Sequence, residues 1–131
     1  MYNIQDMKKE TKEWSQIAKD DREIAIEMWK TKKNVYAVMF WQQAVEKIIK
    51  AYIVESIDVL PKKTHDLDVL LKQAKLDITE LPLTNVKELS LAFTRTRYED
   101  LSRKHYMKRS VVEPLVIMAE KLYLWIEKQL K

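Results

Sequence analysis

Apolar residues recur along this chain at three- and four-residue spacings in long runs, and they never alternate singly for long enough to form a sheet. The pattern therefore predicts helices throughout. The first runs from about Asp6 to Lys32, with Trp14, Ile17, Ala18, Asp21, Ile24, Ala25 and Met28 on its inward stripe. The second starts near Asn34 and continues to about Ser56, turning Val38, Trp41, Val45, Ile48, Ile49 and Tyr52 inward. Pro61 and the lysines after it mark a connection, and Thr64 is a candidate N-cap for a short third helix carrying Leu67, Leu70 and Leu71. Pro82 and Thr84 introduce a fourth, with Val86, Leu89 and Phe93, before a polar stretch from Thr94 to Arg109 that reads as a break or kink. Ser110 and Glu113 have capping-box spacing for a last helix through Leu130, whose inner face holds Val112, Leu115, Ala119, Leu122 and Ile126. Pro114 then falls in the first turn, where a missing amide costs little, or shifts the start by a residue or two. The expected fold is all-α, an antiparallel up-and-down bundle of four long helices and one short one. It forms a single domain over residues 1–131.

Composition fits that picture and removes several kinds of chemistry. With 47% hydrophobic and 34% charged residues the chain can bury apolar stripes and keep wet outer faces. It has no cysteine, which excludes thiolate metal sites, disulfides and cysteine nucleophiles. The absence of glycine excludes phosphate cradles of the P-loop or dinucleotide type, in which backbone amides must approach the ligand. The two histidines lie forty residues apart and there is no His-x-x-x-His or Glu-x-x-His pair, so neither a metal nor another cofactor is expected. No run of apolar residues is long enough to span a membrane and no export segment stands at the amino terminus, so the expected location is the cytoplasm. A net charge of +4 permits attraction to an anion without deciding on one.

Individual polar positions sharpen the reading. Asp21 sits on an apolar stripe, either at its solvated margin or buried beside a cation such as Lys47 or Arg97. Glu46 and Lys50 have the i,i+4 spacing of a surface pair contributing roughly 0.2–0.5 kcal/mol. His65 and Asp66 open the third helix, where the carboxylate favours the positive helix end. His65 is either a partner for backbone carbonyls or a proton donor and nucleotide contact. From Arg95 to Arg109 six Arg or Lys residues face only Glu99 and Asp100. Tyr98 and Tyr106 interleave with them, which suits a surface for phosphates and bases as well as a solvated loop.

Three pieces, Gln42-Gln43-Ala44-Val45-Glu46-Lys47-Ile48-Ile49-Lys50-Ala51, Thr64-His65-Asp66-Leu67 and Arg97-Tyr98, occur in an order and spacing that resembles the HEPN family of small helical domains. The resemblance spans nearly the whole chain. It implies a nucleotide- or RNA-binding and interaction module, a homodimer, and a minimal nucleotidyltransferase as partner in a toxin-antitoxin-like system. Nucleotide or phosphate contacts then fall to Lys47, His65, Arg97, Tyr98, Arg103 and Lys104, with Asp21, Glu46 and Asp66 as a structural polar cluster. Trp14, Trp29, Trp41 and Trp125 are candidate anchors, about three for the core and the remainder for a partner. The family usually places a proline after Arg-Tyr, where this chain has Glu99.

Many HEPN proteins are metal-independent ribonucleases with a histidine four to six residues after an arginine. Here His105 follows Arg97 by eight residues and Arg95 by ten. A straight helix would separate Arg97 from His105 by about 12 Å, so catalysis through this pair requires a kink. A ribonuclease using Arg97 and His105 is the alternative reading, and a scaffold without ligand is the third.

Overall fold

In the computed structural model, which describes residues 6–81, 85–99 and 101–130, six α-helices follow one another. They are α1 (Lys9–Lys30), α2 (Asn34–Tyr52), α3 (Leu67–Gln73), α4 (Val86–Arg95), α5 (Leu101–His105) and α6 (Arg109–Gln129), and no strand occurs among the described residues. The all-α bundle is the fold that forms. Four helices carry the packing, α3 is the short one, and α5 is an additional turn of helix inside the stretch expected to be a break.

α2 is the axis of the bundle, since α1, α3, α4 and α6 all pack against it. Twelve of its nineteen residues are buried, among them Val38, Trp41, Val45, Ile48 and Ile49. A helix this enclosed has little solvent side, so any polar residue on it must find partners inside the protein. The inward stripes of α3 (Leu67, Leu70, Leu71) and α6 (Val112, Leu115, Ala119, Leu122, Ile126) are buried as the periodicity predicts. Of the four tryptophans only Trp41 is fully buried, while Trp14, Trp29 and Trp125 pack half-buried against the core.

α1 keeps the expected stripe at Ala18 and Ala25 and departs from it at Ile17 and Ile24. Its buried residues are Thr11, Ala18 and Ala25, seven apart, whereas Ile17 and Ile24 are 43% and 39% exposed. Small side chains at that spacing let α1 lie close along α2, and the close seam turns the broader isoleucines onto its flank.

Local chemistry explains the helix ends. α2 runs on into one π-helical turn, Ile53–Ile57, and Asp58 stops it in the left-handed conformation at φ 61°. Lys8 clamps this end: its Nζ donates to the Val54 carbonyl at 2.9 Å and meets the Asp58 carboxylate at 2.5 Å. The Glu55 carboxylate in turn accepts from the Lys8 amide and the Thr11 hydroxyl. The cap of α3 is Asp66 and not Thr64; the Asp66 carboxylate accepts from the amides of Asp68 and Val69, while the Thr64 hydroxyl accepts from the Asp66 amide. Pro82 and Thr84 lie outside the described residues, and Asn85 caps α4. α6 begins at Arg109, ahead of the capping box expected at Ser110, which places Pro114 in its second turn. Arg109 anchors this earlier start by donating to the Trp29 carbonyl and to Asn34 Oδ1, its guanidinium lying 3.5 Å from the centre of the Trp29 ring.

The close α1 seam gives a direct test. Ala18→Leu is expected to lower stability by about 1–3 kcal/mol through overpacking, and Ile17→Ala to change it by no more than about 0.5 kcal/mol, as measured by urea unfolding.

Candidate functional site

The site is built around a carboxylate on the axial helix. Glu46 is 1% exposed, and its two oxygens are approached from both sides. Oε1 lies 2.9 Å from His65 Nδ1 and accepts from Gln42 Nε2 at 3.3 Å. Oε2 accepts from Lys50 Nζ at 3.0 Å and Lys47 Nζ at 3.3 Å. The sequence-based reading of Glu46 and Lys50 as a surface pair is therefore corrected, because both side chains are buried, at 1% and 9% exposure. Helical spacing is the same for a surface and a buried pair; the near-complete enclosure of α2 puts this one inside.

Burial pushes the Glu46 carboxyl upward, but Lys47, the hydrogen bond with His65 and Lys50 together outweigh it and hold the group below its usual range. Asp21 on α1, half-buried, completes the ionic row. Desolvation raises its carboxyl, Lys47 opposes that rise, and Asp20 and Glu46 add to it.

His65 links this row to α4. Its backbone carbonyl accepts from Gln42 Nε2 and from the Ser90 hydroxyl, which in turn accepts from the Leu67 amide. With the backbone pinned to α2 and α4, the imidazole stacks on Phe93, ring centres 3.4 Å apart and planes within 15°. The Arg97 guanidinium lies 3.9 Å from the centre of the same ring and donates to the Phe93 carbonyl. Phe93, expected in a core stripe, is thus the surface on which a histidine and an arginine are held. With Nδ1 turned to Glu46, the imidazole has Nε2 left for a ligand.

Beyond Arg95 the chain leaves α4, and Arg97 lies in the turn before α5. A recess of about 320 Å³ opens there, lined by Tyr36, Met39, Thr96, Arg97, Glu99 and Arg103. Arg103 donates to the Thr96 carbonyl at 2.6 Å and to the Tyr36 hydroxyl at 3.4 Å, with its guanidinium 5.3 Å from the Tyr36 ring centre. Tyr98 is 56% exposed nearby in sequence, and Lys104 is exposed on α5.

Asp21, Glu46, Lys47, His65 and Arg97 therefore form one connected row, through Phe93. Three expected residues stand differently. Asp66 caps α3 on the surface and takes no part in the Glu46 cluster. Tyr106 is 1% exposed and cannot stack on a ligand; burial raises its hydroxyl pKa, with Arg95 opposing. His105 packs edge-on against Tyr106, whereas Arg97 turns back onto Phe93. Tyr36 and Met39 are the contributors the sequence reading missed, because their place in the recess depends on α2 meeting the α4–α5 turn.

No group of three metal-ligating side chains comes together among the described residues, and no described helix is long and apolar enough to cross a membrane. A family model for the HEPN domain matches residues 11–129, nearly the whole length. The chain belongs to the HEPN family. No curated protein and no solved structure matches it significantly. In this HEPN chain the Gln-Gln-Ala-Val-Glu-Lys run supplies the buried carboxylate and its donors, and the Thr-His-Asp-Leu piece supplies the histidine that reads it.

The linkage is testable by pH. Glu46 is ionised more readily in the folded chain than in the unfolded one, so its stabilisation is complete above the unfolded value near 4.5 and is lost as pH falls through the lower folded value. Urea unfolding should show an acid decline below that point that Glu46→Gln makes shallower, and Glu46→Ala should cost about 3 kcal/mol at neutral pH by stranding buried cations. An unchanged acid limb in Glu46→Gln would remove Glu46 as its cause.

Proposed function

We propose that this HEPN domain is a nucleotide- or RNA-binding and interaction module that recognises phosphate at the His65–Phe93–Arg97 row. The carrying observation is the distribution of charge along that row. At one end Lys47 and Lys50 are balanced by Glu46 and Asp21. At the other, Arg97 is exposed beside the recess and has no carboxylate within ion-pair distance among the described residues. The surplus positive charge therefore stands at Arg97, beside the His65 imidazole on the Phe93 ring, where an anion gains most. Exposed Tyr36 and Tyr98 offer faces for a base alongside. Arg103 and Lys104 extend the basic surface, and Lys47 positions Glu46 and Asp21.

The module works in the cytoplasm as a homodimer beside a minimal nucleotidyltransferase, in a toxin-antitoxin-like pairing. Ile17 and Ile24, exposed one turn to either side of Asp21, form an apolar margin beside the polar row that supports placement of a second copy there.

A second reading, a metal-independent ribonuclease using Arg97 and His105, is favoured by one feature. The helix breaks between Arg95 and Leu101, so the separation computed for a straight helix does not apply to this pair.

Two experiments divide these readings. In calorimetric titration with a short single-stranded RNA and with AMP, Arg97→Ala and His65→Ala are expected to weaken binding about tenfold, and raised salt should weaken it further. Absence of binding by the unaltered chain would leave a scaffold without ligand. In an RNA cleavage assay the binding reading expects no cleavage by either the unaltered chain or His105→Ala; cleavage abolished by His105→Ala would establish the ribonuclease.

A further inference from the structure

A second pocket, of about 500 Å³, lies between the start of α1, the π-helical end of α2 and the connection that follows it. We propose that it is a binding site for a small amphipathic anion, an aromatic or aliphatic body carrying one carboxylate or an equivalent acidic group. This site meets the row only at Lys50, which Glu46 holds, and shares no lining residue with His65, Phe93 and Arg97; the proposal does not rest on the nucleotide reading.

The pocket's walls are apolar where a ligand body would lie. Trp14 forms one side and Val54 and Pro61 line others, while Leu60 stands at 89% exposure and Val59 at 47%. An exposed leucine next to a concave apolar wall has a large area to bury, and a ligand body seated on it removes that area from water. The volume falls in the range of small-molecule sites and exceeds what a few ordered waters need.

Charge decides the second half of the ligand. Four lysines line the pocket, Lys8, Lys50, Lys62 and Lys63, together with two acidic residues, Glu10 and Asp58. Lys8 is held by Asp58 and Lys50 by Glu46. Among the described residues no ion pair engages Lys62 or Lys63, although the Lys62 amide is tied to Gln73 Oε1 and so fixes the segment's backbone. The connection therefore contributes to the pocket lining two lysines that no ion pair engages among the described residues. With Glu10 also on the lining, one anionic group is the charge that this surplus accommodates, and a polyphosphate would be opposed by the acidic side. The ammonium of Lys50 lies 5.4 Å from the centre of the Trp14 ring, so the apolar lining and the basic residues meet there.

Nuclear magnetic resonance with 4-phenylbutyrate as the probe tests this site on the full chain, with no nucleotide present. The Trp14 indole and Leu60 methyl resonances should shift saturably, with a dissociation constant on the order of 0.1–1 mM for a ligand of this size. The neutral isostere 4-phenylbutan-1-ol should bind about tenfold more weakly, and Lys62→Ala/Lys63→Ala should weaken phenylbutyrate by about the same factor. Leu60→Asp should lose the saturable shifts, and its 89% exposure means the fold itself does not depend on that leucine. No saturable shift below about 10 mM, or equal affinity for the acid and the alcohol, would overturn the proposal.

Discussion

A carboxylate buried on the axial helix sets the terms for the rest of this molecule. An isolated charge at the position of Glu46 would be very unfavourable, so the fold must bring compensating groups to it. Two come from the next turn and the neighbouring position of α2, Lys50 and Lys47, and one from outside the helix, His65. The outside partner has the wider consequence. By requiring His65 at Glu46, the carboxylate fixes the segment before α3 against α2, and the stacking of His65 on Phe93 carries that constraint to α4.

The proposed function follows from where the compensation is complete and where it is not. Around Glu46 the lysines and carboxylates are matched and enclosed, which orders the side chains but leaves them little to offer a ligand. At Phe93 the row reaches the surface with an imidazole and a guanidinium on an aromatic ring, beside a recess created by the break between α4 and α5. The buried end pre-positions the exposed end, so on the proposed reading the groups that would meet a phosphate need little reordering on binding.

Much of the fold was legible in the sequence for a clear reason. The stripes of α3 and α6 consist of large aliphatic residues whose only favourable place is the core, so periodicity alone located them. On α1 the seam residues Ala18 and Ala25 were legible, but Thr11, a small polar residue with little hydropathy signal, was missed. Ile17 and Ile24, which carry a strong signal, were taken into the stripe although they lie on the flank. Glu46, Lys47, His65 and Arg97 were visible in the motif pieces and Asp21 as a charge on an apolar stripe, and Lys47, His65 and Arg97 do lie along the row. The role of Lys50 was not visible, since an i,i+4 pair looks the same on a wet face and inside a bundle. Tyr36 was hidden for a different cause: its relation to Arg103 joins positions far apart in the chain, which no local pattern encodes. Tyr106 was placed on the surface by its basic neighbours, yet the turn after α5 directs it inward.

The central claim is that Glu46 is an ionised carboxylate held by Lys47, His65 and Lys50 inside the bundle. Carbon-13 titration of the Glu46 side-chain carboxyl in the folded chain tests it most directly. The account predicts a midpoint below 4.5, the ordinary value for the group, together with coincident shifts of the His65 ring. A midpoint at or above that value would mean that burial wins over the three partners, and the row would lose the charge that organises it.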